Sequence, residues 1–73
     1  MIAIAKARLE EICVLYLNHQ LRNRPVACVL LERPGFGNAN WSLAQVEPAL
    51  DLRDTPISFA AVRELQSVFR MVV

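Results

Sequence analysis

The chain predicts an α+β domain of order α-β-β-α. Two stretches free of glycine carry apolar residues at helical spacing. Between them, two extended runs flank a cluster of glycine, proline and asparagine, "RPGFGNAN". Four prolines, Pro25, Pro34, Pro48 and Pro56, punctuate the sequence. Proline lacks a donor and restricts the residue before it, so it stands at element boundaries. The assignment is helix about 2–22, strand about 26–32, turn 33–38, strand about 39–46, loop 47–55 and helix about 56–71, in one domain covering 1–73.

In the first helix, Ala5, Leu9, Ile12 and Tyr16, with Cys13 and Leu17, recur as one apolar stripe. Lys6 with Glu10 and Arg8 with Glu11 are in reach of each other on the opposite flank, each pair contributing about 0.2–0.5 kcal/mol. The run "ICVLYL" alone would also suit a buried strand. The helix formers before it and the absence of a breaker favour helix. Arg22 and Arg24 complement the dipole at its end.

"VACVLLE" is apolar, β-branched and bounded by prolines, hence a strand. Val26, Cys28 and Leu30 fall on one face and Ala27, Val29 and Leu31 on the other, so both faces ask for cover. Arg33-Pro34-Gly35-Phe36 fits a type II turn, with glycine where φ must be positive. Gly37 and Asn38 suit a longer hairpin loop. On the returning strand, Trp41 and Leu43 share a face with Gln45, and Ser42, Ala44 and Val46 share the other. After a polar connection, Thr55 reads as N-cap and Pro56 as first helical residue. Ile57, Ala61, Leu65, Val68 and Val72 form the second helix's stripe, widened by Val62 and Phe69, with Arg63, Gln66, Ser67 and Arg70 opposite.

Composition shapes the functional expectations. A core of this length supplies about 3–5 kcal/mol net. Yet 55% of the residues are hydrophobic and mean hydropathy is +0.31. Surplus apolar residues on a small domain are hidden against another chain. A homo-oligomer is therefore expected, most simply a two-fold dimer completing or covering the sheet, with another protein as a possible partner. Eight basic and seven acidic residues leave +1, too little field to draw a polyanion, so nucleic acid is not an expected partner. Cys13 and Cys28 lie in apolar runs and read as buried free thiols, although a bond between them stays open. No export signal is evident, and the apolar runs fall short of the ~20 residues that cross a bilayer. A cytoplasmic protein away from membranes is expected.

Candidate chemistry is sparse. His19 is the single histidine, and no cysteine–histidine cluster has ligand spacing. Cys13 and His19, six apart, turn to different helix faces. Glu47, Asp51 and Asp54, with Arg53 among them, read as a solvated loop with capping acids. No phosphate loop or nucleophile elbow occurs. No catalytic, cofactor-binding or metal residue is predicted, no cofactor is expected, and an enzyme is disfavoured. The candidate interaction surface is Arg33, Phe36, Asn40 and Trp41, because an aromatic at a turn tip has little to pack on. Trp41 reads first as core or dimer interface and second as the roof of a ligand pocket. Arg22, Arg24 and Arg33 form a weak basic patch. The leading reading is a small, self-associating, non-enzymatic interaction module. The alternatives are a weak nucleic-acid-binding or regulatory module, and a ligand-binding protein or enzyme with a pocket near Trp41.

Overall fold

A computed structural model of the chain describes residues 2–21, 25–34 and 40–72. It is a small α+β domain of order β1 (Ile2–Ala5), α1 (Lys6–Gln20), β2 (Cys28–Glu32), β3 (Ser42–Glu47), α2 (Asp54–Val68) and β4 (Phe69–Val72). The hairpin β2–β3 is antiparallel, and β1 pairs with β4 in parallel.

That parallel pair corrects both helix assignments. The helix expected from residue 2 begins at Lys6, and the helix expected to run to 71 stops at Val68. Ile2 and Ile4 alternate with alanine, while Phe69–Val72 is aromatic and β-branched at its ends; both segments suit a strand once a partner is present. The partner is distant in sequence, with Ile2 opposite Phe69 and Ala5 opposite Val72. Tertiary pairing here overrides the helical period that runs through neighbouring residues. At the far end of α1, Leu21 is extended and its N–H closes the helix by donating to Leu17 O at 2.7 Å.

The start of α2 is a second correction. Thr55 is already inside the helix and Pro56 is its third residue. The capping side chain is Asp51, whose Oδ1 accepts the N–H groups of Arg53 and Asp54 at 3.0 Å each. Asp51 O also accepts the Thr55 hydroxyl at 2.9 Å. Such a cap stabilises a helix by about 0.5–2 kcal/mol.

Packing follows from the stripes. Leu9, Cys13 and Leu17 of α1 are buried as expected. On α2 the buried row is Asp54, Ser58, Ala61, Val62 and Leu65. Ile57 and Val68 are exposed, so the stripe is rotated from the one read in the sequence. In the hairpin, Val29 and Leu31 are buried while Cys28 and Leu30 are exposed, so β2 is covered on one face instead of two. A bulge between Leu30 and Leu31 pairs Val29 with Val46 and Leu31 with Leu43, leaving Ala44 as the extra residue. The bulge breaks strict alternation and lets Leu43 and Val46, assigned to opposite faces, both pack on the core.

Trp41, Leu9, Leu17 and Leu31 are the largest wholly buried apolar side chains. Each such burial contributes about 1.5–3 kcal/mol. Among the described residues, no helix is long and apolar enough to cross a membrane.

Candidate functional site

Asn40 and Trp41 sit where the hairpin meets β4, and they join the two sheets. Asn40 Nδ2 donates to Met71 O at 2.7 Å, and Met71 N–H donates to Asn40 Oδ1 at 3.0 Å. The amide side chain thus imitates a neighbouring strand. Trp41 Nε1–H donates to Phe69 O at 3.1 Å, and Gln66 Nε2 donates to Trp41 O at 2.7 Å. The edge of β4 turned away from β1 is thereby satisfied by side chains. Trp41 is 0% exposed, so its indole belongs to the core and offers no surface.

The other side of the hairpin is tied in the same way. Asn18 Nδ2 donates to Val26 O at 3.0 Å while Val26 N–H donates to Asn18 Oδ1. Glu10 Oε2 accepts the Leu31 N–H at 3.0 Å. Two asparagines and one glutamate therefore do what further strands would do in a larger sheet. Between the helices, the Tyr16 hydroxyl donates to Glu64 Oε2. That bond favours the protonated phenol and raises the Tyr16 pKa.

The thiols part company. Cys13 is buried, and burial followed by the charge of Glu10 pushes its pKa from 9.0 to about 12. Cys28 is exposed, against the expectation of burial, and both thiols are free. Ser58 Oγ is buried with no hydrogen-bond partner among the described residues. Among the described residues no group of three or more histidine, cysteine or carboxylate side chains could hold a metal ion.

An apolar surface hollow lies between β3 and α2. Leu43, Ala44 and Val46 of β3 form one wall of an open hollow of about 240 Å³. Ala49, Leu50 and Phe59 form the other. Phe59 is 60% exposed although it is large and apolar. Among the described residues β3 pairs with β2 alone, and its other edge receives no hydrogen bond. Charged residues of both signs flank the hollow, with Glu32 opposite Ser42 at one end and Arg53 near Asp51 at the other. Gln66 anchors the late turns of α2 to Trp41, before β3 begins, while Asp51 caps α2 just after β3 ends. The helix therefore runs back along the strand. Arg63, one turn beyond Phe59 on the same flank, sits towards Ser42; Glu47 and Asp51 sit at the opposite end, and all three are exposed.

Of the residues proposed from sequence, Asn40 and Trp41 come together, at the seam of β4. Arg33 is exposed. Phe36, Arg22 and Arg24, with most of the turn 33–38 and residue 39 of the second strand, lie outside the described residues. The hollow was missed; its signal in the sequence is Phe59, a bulky aromatic lying off every helical stripe. Compared with protein-family models, curated proteins and solved structures, the chain matches none.

Proposed function

We propose that the chain is a small, non-enzymatic interaction module of the cytoplasm that works by associating with itself. The observation that carries this reading is the surface left by folding. A folded monomer of 8.2 kDa has about 4500 Å² of accessible surface. This chain has 5080 Å². Large apolar side chains stand in that surface, among them Leu52 at 92% and Phe59 at 60% exposed. Water-exposed apolar area of this kind is what a partner chain removes. A two-stranded sheet is marginal by itself, which gives the hairpin a further reason to extend across an interface.

Native mass spectrometry on the untagged full chain tests the reading. The expected result is a dimer without additional mass at tens of micromolar. A persistent monomer, or a copurifying small molecule or oligonucleotide, would overturn it.

A further inference from the structure

We infer that the open edge of β3, with the hollow beside it, is the surface on which a second copy of this chain docks, the two β3 strands pairing antiparallel across a two-fold axis. The inference rests on the self-association proposed above and names the surface that serves it.

The strand edges of the described residues differ in what occupies them. The outer edge of β4 is occupied by Asn40 and Trp41, and β2 is held by Glu10 through Leu31 and flanked by Asn18 at Val26. The outer edge of β3 has no such substitute along Ser42–Glu47, where alternate residues turn their N–H and C=O away from β2 on either side of the bulge at Ala44. An edge of unpaired N–H and C=O groups is a template for another strand. β1 is also an edge strand, but it has four residues against the six of β3.

The side chains then favour an identical partner. A strand laid along β3 projects alternate residues towards the hollow, where Ala44 and Ala49 leave room and Phe59 stands exposed. When the partner strand is a second β3, its own Phe59 arrives from the opposite side, and the two rings cover the seam together. The charges agree with this direction. Arg63 lies towards the Ser42 end, where Glu32 is the register partner of Ser42, and Glu47 and Asp51, with Arg53 close by, lie at the other. An antiparallel two-fold brings Arg63 of one copy towards Glu47 and Asp51 of its partner twice over. Arg63 is exposed and makes no ion pair with a described residue, so its charge is available for the contact. A parallel arrangement would set like charges side by side, at a cost in affinity. The product is a four-stranded sheet of order β2-β3-β3-β2 with α2 of each copy above the seam, consistent with the isologous interfaces of two-fold dimers.

Sedimentation velocity on the full chain and three variants tests the surface, with far-UV circular dichroism confirming that each variant is folded. Phe59→Glu is expected to raise the dimer Kd at least tenfold. Arg63→Glu, which alters only an exposed charge and guards against a misfolded Phe59 variant, should raise it several-fold, with the difference shrinking as salt is added. Leu15→Glu, on α1 and away from the hollow, should leave it unchanged. If the wild-type chain dimerises but neither Phe59→Glu nor Arg63→Glu weakens it, the docking surface is wrong while self-association stands. If the wild-type chain is monomeric up to tens of micromolar, both fall together. A wild-type monomer that instead captures an unrelated extended apolar peptide at Phe59 would assign the edge to a different occupant and would likewise overturn the second copy.

Discussion

At the scale of single residues, the fold depends on polar side chains that stand in for missing strands. Asn40→Ala removes both bonds to Met71 and leaves a partly buried N–H and C=O to find other partners. We expect a loss of about 1–3 kcal/mol, read as a lower urea midpoint with unchanged slope. The two cysteines give a sharper contrast. A thiol reagent should modify Cys28 on the native protein and reach Cys13 only after unfolding, because the buried thiol stays protonated. Modification of Cys13 at a rate matching Cys28 would contradict its placement. The same shift has a pH consequence. The Cys13 pKa is higher in the fold than its ordinary 9.0, so its contribution to stability is complete below pH 9 and is lost as pH rises towards 12. The slope approaches about 1.4 kcal/mol per pH unit in that window. Urea titrations at several alkaline pH values should show it, and a Cys13→Ala chain should lose that part of the slope. Little of this was legible in the sequence. Asn18 and Glu10 look like ordinary surface residues, because their partners lie 8 and 21 positions away, and Asn40, singled out as an interaction residue, holds Met71 31 positions on.

At the scale of elements, the hairpin and the bodies of both helices follow from local rules, and the outer strands do not. The prolines and the Gly-rich turn mark β2 and β3, and Leu9, Cys13 and Leu17 keep helical spacing in α1. β1 and β4 stay hidden because each joins a helix directly, with no glycine or proline at Ala5–Lys6 or Val68–Phe69 to mark the change. The bulge at Ala44 is equally silent, yet it decides that Val46 faces the core. The start of α2 was misplaced because two candidate caps stand four residues apart. Asp51 wins since its carboxylate meets the N–H groups of Arg53 and Asp54. Asp51→Ala should therefore cost about 0.5–2 kcal/mol. Thr55→Ala removes one hydroxyl bond to Asp51 O and should cost less. Paired thermal or urea unfolding of the two variants checks the order; a larger loss at Thr55 would return the cap to that residue.

At the scale of the whole molecule, the chain folds around Trp41 yet leaves a strand edge and an apolar hollow uncovered on one side. The sequence announced the surplus in its 55% hydrophobic composition but gave no address for it. Of the residues first suspected, Arg33, Phe36, Asn40 and Trp41, the pair Asn40 and Trp41 is consumed in holding β4. Phe59, lying off the expected stripe, faces water beside the open strand. Hydrogen exchange is the most direct test, because pairing at β3 protects backbone amides that are open in the monomer. Exchange measured by mass spectrometry should slow between about 1 and 100 μM protein in peptides covering Leu43–Val46, with α1 unchanged. Equal exchange in that segment at both concentrations, in a chain that nonetheless dimerises, would contradict the docking of β3 on its copy.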